Sequence, residues 1–206
     1  MTTERLYGWF VNTSYSALTA DEKLNNATIF ASHFYWAKGW SPVAICAILG
    51  NIDTESHINP GTIEGDPYGQ LEDNSVMVNY PGGVGLVQWT GAYNLVQYAI
   101  DENRDWYDGN LQMQRLEYEK DNGLEFVGQW VNGVYYDWNM TNMWQNVNVD
   151  DMTEAFCRGY LRPADPSGTL PNRKASAEYW LNHFDDIKGL PSTPIIKKKR
   201  KVFCIL

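Results

Sequence analysis

The stretch SPVAICAILGNIDTESHINP, Ser41 to Pro60, limits the folds open to this chain more than any other. Ser41 is a side-chain helix cap, and Pro42 takes the first helical position, where its missing N–H costs nothing. Ile45, Ile48, Leu49 and Ile52 then recur at the spacing of a core-facing stripe. Val43, Ala44, Cys46 and Ala47 fill much of the remaining surface, and a helix apolar on most sides belongs in the middle of a domain. Ile58-Asn59-Pro60 ends it, because the residue before a proline is driven out of helical conformation.

Glu55 follows Ile52 by one turn, so it projects beside the buried stripe. It also falls in the last turn, at the negative end of the helix dipole, against apolar neighbours with little solvent. All three influences favour the protonated carboxyl. A carboxyl that keeps its proton near neutral pH is what general acid catalysis of glycoside cleavage needs. A glutamate at a helix end can equally fray into water, and geometry alone leaves both readings open.

The chain around this helix alternates between helical and turn-rich texture. Residues 1–18 read as a short packed arm, with Leu6, Tyr7, Trp9, Phe10 and Val11 as its apolar content. Thr19 with Glu22 forms a capping box for a helix whose face is Leu24, Ala27, Ala31 and Phe34, closed by Gly39. From Asn59 to Gln88 glycines and prolines dominate. The alternation of Val76, Val78 and Tyr80 predicts short strands in a hairpin there. Amphipathic helices are expected over Tyr93 to Glu102 and Asn110 to Lys120. Leu124 to Trp138 is aromatic and punctuated by glycine, with only a weak helical signal. Asp150 is read as the cap of a helix reaching about Tyr160, stopped by Pro163, and Lys174 to Phe184 as a last helix.

The segment ILGNIDTESHINPG followed by GVGLVQWTG resembles the phage tail lysozyme family, and more loosely goose-type lysozymes and soluble lytic transglycosylases. In that family a helix ends in Glu-Ser, an Asn-Pro turn follows, and a Gly-Leu-x-Gln-Trp segment lines the cleft. Here those positions are Glu55, Ser56, Asn59, Pro60, Gly85, Leu86, Gln88 and Trp89. An aromatic-x-Arg-Pro element is matched by Tyr160, Arg162 and Pro163, and the resemblance runs from about Leu24 to about Phe184. It implies a mainly α lysozyme-like fold, with a central buried helix and a small β-hairpin lining the cleft. It also implies cleavage of the β-1,4 glycan of bacterial peptidoglycan, with Glu55 as the acid.

Such chemistry needs a second group to meet oxocarbenium-like charge or to activate water. Glu64, Asp66, Glu72 and Asp73 are the carboxylates on the loop facing the helix end. If none of them reaches, the sugar's own hydroxyl attacks, as in lytic transglycosylases, with one glutamate serving as acid and then base. Gln88, Trp89, Tyr93 and Tyr160 are the candidate glycan contacts. Gln88 is otherwise a tie from hairpin to helix, and Arg162 otherwise caps helix carbonyls. A non-catalytic tail plug or wall-binding module on the same scaffold is the third reading.

Nine Trp and thirteen Tyr suit a sugar cleft, although any single ring is as well explained by the core. The net charge of −9 argues against a nucleic-acid partner. Lys197, Lys198, Lys199, Arg200 and Lys201 hold five of the sixteen basic residues, so the rest of the chain is more acidic still. Three cysteines form no disulfide framework, and His33, His57 and His183 are too scattered for a metal site, so neither metal nor cofactor is expected. Residues 19–188 read as one catalytic domain and 189–206 as a linker with a basic-apolar tail. That tail is suited to anionic lipid, to wall polymer, to packing on another subunit, or to no specific role. The N-terminus carries no charged region followed by an apolar run, so a secretory leader is not expected. Taken with the resemblance, this places the chain in a phage tail tip among other tail proteins. The related tail lysins often carry a peptidase domain, and none is expected within these 206 residues.

Overall fold

The computed structural model describes residues 3–14, 18–143 and 147–189. The basic tail and Trp144 to Asn146 lie outside them. At the N-terminus, β1 (Glu4–Leu6) and β2 (Trp9–Val11) form an antiparallel hairpin. Its inward side chains Trp9 and Val11 are fully buried in the same core as the helices. Helix α1 (Ala20–Ser32) opens with the expected capping box, Glu22 N–H donating to Thr19 Oγ1 while Thr19 N–H donates to Glu22. It runs on as a π turn over His33–Ala37. Buried Asn26 takes the place of a strand neighbour for Phe10, accepting its N–H at 2.8 Å and donating to its carbonyl at 2.8 Å. Leu24 is 42% exposed, not part of the buried face, which Ala27, Phe30, Ala31 and Phe34 make instead.

Helix α2 (Pro42–Ser56) is the axis of the molecule. Ser41 accepts from Ala44 N–H at 3.1 Å, Pro42 stands at the first position, and Ile45, Ile48, Leu49 and Ile52 are all fully buried. His57 closes it in the left-handed conformation. Two later helices pack across it: α6 (Val149–Phe156), continued by a π turn over Cys157–Leu161, and α7 (Pro166–Asn182). Among the described residues the α2–α7 contact is the most extensive, and it owes its closeness to glycine at residue 50. A Cβ there would stand 2.5 Å from the Arg173 carbonyl oxygen and 2.6 Å from Ala177 Cβ.

Helix α3 (Asn74–Met77) occupies the segment expected to be a strand. Asp73 decides this: its carboxylate accepts from Ser75 N–H at 2.8 Å and starts a helical turn, so Met77 turns inward while Val76 stays 40% exposed. The hairpin lies further on, where β3 (Gly83–Val84) pairs with β4 (Trp89–Thr90), and Ile63 bridges to Val84 on its other side. Helices α4 (Tyr93–Asp101) and α5 (Gly109–Asp121) stand as the periodicity implies. The aromatic stretch after them is a hairpin, β5 (Gln129–Val131) and β6 (Val134–Tyr136), turning on Asn132 and Gly133, both left-handed. Asn-Gly between apolar residues is the sequence signal for that turn.

Two boundaries also move. Asn148, rather than Asp150, caps α6, accepting from Asp150 N–H at 2.8 Å. Helix α7 begins at Pro166 rather than Lys174, because Asp165 caps it through Gly168 N–H and Pro166 fits the first position. It carries Pro171 inside its second turn. A short helix, α8 (Phe184–Ile187), completes the described chain.

Candidate active site

The end of α2 is turned sharply by two consecutive left-handed residues, His57 at φ 52° and Ile58 at φ 58°. A β-branched residue in that region is strained, and it is retained here because its surroundings over-determine it. Ile58 is fully buried and its carbonyl accepts from Asn26 at 2.9 Å. The motif residues around Glu55 do the same kind of work. Ser56, fully buried, donates to the carbonyls of Ile52 and Leu86, tying the helix end to the β3–β4 hairpin. Asn59 donates to Asn12 O and accepts from Asn12 N–H and Gly61 N–H. Gln112 of α5 accepts from Leu86 N–H at 2.7 Å and donates to Pro60 O at 2.8 Å. A side chain at Gly85 would collide with that amide. The Glu-Ser, Asn-Pro and Gly-Leu elements therefore hold helix, turn and hairpin in one fixed relation.

Glu55 stands out of this frame into a cleft of about 540 Å³, which Glu64, Gln88 and Arg162 also line. Its side chain is 18% exposed. The expected apolar surroundings are corrected in one respect: Arg173, 2% exposed, donates from a terminal nitrogen to Glu55 Oε1 at 2.6 Å. Of the four carboxylates considered as its partner, Glu64 alone lines this cleft. Glu64 accepts from Gly83 N–H at 2.7 Å, so the edge of β3 fixes its orientation. The hydroxyl of Tyr80 donates to the Glu64 carbonyl, and burial, then the Glu64 charge, pushes the Tyr80 phenol up. Asp66 is used in a local turn, accepting from Gly69 N–H, and Glu72 accepts from Gln70. Asp73 caps α3, and the Ser75 hydroxyl with two backbone N–H groups holds its carboxyl below the usual range.

Gln88, left-handed at φ 52°, donates to Gly85 O at 2.8 Å and Thr62 O at 3.3 Å while lining the cleft. It thus braces the hairpin against its own loop rather than against α2. Trp89 and Tyr160 line a smaller adjoining pocket with Glu119 and Glu125, sharing the rim residues Gln88, Thr90 and Arg162. At 7% and 6% exposure neither ring offers a face for stacking on a sugar. Tyr93, by contrast, is 58% exposed but lies in a separate groove with Tyr98 and Tyr118. The Arg162 guanidinium does not sit on helix carbonyls: its backbone N–H closes the α6 π turn on Cys157 O at 2.8 Å in left-handed conformation, while its side chain pairs with Glu125 at 3.0 Å.

Sequence reasoning missed two buried charges beside the cleft. Glu119, fully buried, accepts from Arg115 Nε at 2.6 Å, from Trp89 Nε1 at 3.2 Å and from the Tyr160 hydroxyl. It joins the hairpin wall of the cleft to the α6 wall. Burial, then the Glu119 charge, raises the Tyr160 phenol well above its ordinary value. Arg173 is the other. Both were visible as charges in phase with apolar stripes, Glu119 one turn after Leu116 and Arg173 one turn before Ala177. Among the described residues no group of three or more His, Cys, Asp or Glu could hold a metal ion, and no helix is long and apolar enough to cross a membrane.

A family model described as phage tail lysozyme matches residues 25–184. Morphogenesis protein 1 of Bacillus phage B103 is 35% identical over 167 residues, which is 77% of this chain and 38% of that protein. The chain thus spans less than half the length of this curated relative.

Proposed function

Because this chain belongs to the phage tail lysozyme family, we propose that it cuts the β-1,4 glycan strand of bacterial peptidoglycan from the virion tail, during infection. One observation carries the reading: Glu55 at the end of the buried helix and Glu64 on the hairpin side line one cleft. In the reaction, the Glu55 carboxyl gives its proton to the glycosidic oxygen as the bond to the anomeric carbon breaks. Glu64 meets the positive charge left on the sugar, either by taking the proton of an attacking water or by bonding to that carbon before water displaces it. Arg162 supplies hydrogen-bond donors along the rim, and Gln88, whose amide N–H groups are taken by Gly85 and Thr62, offers its amide oxygen as an acceptor. The relative named for morphogenesis supports a position among other phage proteins.

The test is sugar release and turbidity loss on purified Gram-positive peptidoglycan, wild type beside Glu55→Gln. The amide keeps the shape and removes the proton donor, so the rate falls at least ~10²-fold with folding unchanged. Equal rates in the two proteins would refute the assignment of Glu55. Fragments with reducing ends mark hydrolysis. A 1,6-anhydro end would mark the transglycosylase reaction on the same glutamate, and inactivity of both proteins would favour a structural plug.

A further inference from the structure

Arg173 has a place that the cleavage scheme above does not use. Its guanidinium is 2% exposed and pinned at three points besides Glu55: Nε donates to Thr169 Oγ1 at 3.1 Å, and one terminal nitrogen reaches Asn51 Oδ1 at 3.2 Å and Asn51 O at 3.4 Å. Asn51 is itself held, because its amide nitrogen donates to Ala47 O at 2.9 Å and Thr153 O at 3.1 Å. Three helices, α2, α6 and α7, therefore fix one cation, and the cation's remaining terminal nitrogen holds Glu55 by Oε1.

Stability alone gives little reason for this arrangement. Burying a guanidinium carries a desolvation cost that the pair roughly offsets, and a well-packed apolar side chain usually does as well or better. Placement is a stronger reason. A reacting group displaced by ~1 Å can lose ~10²-fold in rate, and glutamate has three rotatable bonds with which to stray. Taking the reading of Glu55 as the acid, we infer that Arg173 is a positioning residue, which holds the Glu55 carboxyl by Oε1 in one orientation and leaves Oε2 to carry the proton. The planar fork of arginine suits this task, since its other N–H groups fix the direction of the one that holds the carboxylate. Lysine would keep the charge and lose that direction.

The experiment measures kcat and KM on soluble, uncrosslinked peptidoglycan strands for wild type, Arg173→Lys, Glu55→Gln and the double variant. Arg173→Lys is expected to lower kcat by ~10-fold or more with KM changed less than about twofold. Added to Glu55→Gln it should change the residual rate less than about twofold, because a residue acting through Glu55 has nothing left to position. A wild-type kcat in Arg173→Lys overturns the inference. So does the same fold-loss in both backgrounds, which marks a general structural role. If Arg173→Lys does not fold, Thr169→Val removes the Nε acceptor, together with the hydroxyl's long contacts to Asp165 O and Pro166 O in the first turn of α7, and there a kcat loss of ~3-fold supports the inference while an unchanged kcat overturns it. A fully active Glu55→Gln would remove the catalytic reading as well. Inactive Glu55→Gln beside fully active Arg173→Lys removes the positioning role alone.

Discussion

Replacing Gly50 by alanine sets two known effects against each other, and the structure decides the sign. In an ordinary helix interior the exchange stabilises by ~1 kcal/mol, because alanine restricts the unfolded chain and favours the helix. At Gly50 the new Cβ would meet the Arg173 carbonyl oxygen at 2.5 Å and the Ala177 nitrogen and Cβ at 2.6 Å. These are backbone atoms or fixed directly to backbone, so no rotamer change relieves them. Helices α2 and α7 must part by about 1 Å to restore ordinary contact near ~3.5 Å. A gap of that size forfeits a quarter to a half of each dispersion contact it opens, and three contacts as short as 2.5–2.6 Å put the cost in the upper part of the range for overpacking, ~2–3 kcal/mol. The net expectation is a loss of about 1–2 kcal/mol, or roughly 2–8 °C in Tm for a chain of this length. Urea and thermal melts followed by far-UV circular dichroism would measure it. The same shift moves Arg173 relative to Glu55, so the proposed wall-lytic activity should fall further than the unfolded fraction accounts for. A Tm equal to or above wild type would show that helix propensity prevails, and that the α2–α7 contact is looser than the geometry states.

Glu119→Ala should destabilise the fold by ~3–5 kcal/mol in urea unfolding, since it strands the Arg115 guanidinium and two ring donors; a loss below ~1 kcal/mol would refute the clamp. The pH dependence of stability should carry a contribution from His57, whose imidazole is lowered by burial and then by the Lys23 charge, against the pull of Asp53. With the folded value below about 6.5, both states are neutral at higher pH and the unfolded chain gains its proton first on acidification. Stability should therefore decline as pH falls through about 6.5 toward the folded value. His57→Asn, which tolerates the left-handed cap, should flatten that part of the curve, and an unchanged slope would exclude His57 as its source. Cys46 and Cys157 are buried and desolvation pushes both thiols up. In a Cys204→Ser background, thiol labelling should then follow global unfolding. Rapid labelling of the native protein would contradict it.

The sequence by itself determined the elements whose cause is local. Ser41-Pro42, the isoleucine stripe and the Asn59-Pro60 stop define α2 to within a residue or two, and the Thr19–Glu22 box starts α1 where it was expected. Short-range capping and periodicity act within one or two turns, so they are written in adjacent residues. The same rule, left unused at Asp73, Asn148, Asp165 and Asn132-Gly133, accounts for the misplaced strand, the two shifted helix starts and the unrecognised second hairpin. Glu55 was legible as a candidate because it continues a pattern on its own helix and matches the Glu-Ser motif of the family. Its surroundings were not. That Glu64 rather than Asp66 or Glu72 shares its cleft depends on the hydrogen bond from Gly83 across the loop. That Arg173 holds it depends on two helices meeting at Gly50, more than a hundred residues apart in sequence. A charge pair is decided by distance in space, and only the packed chain sets that distance.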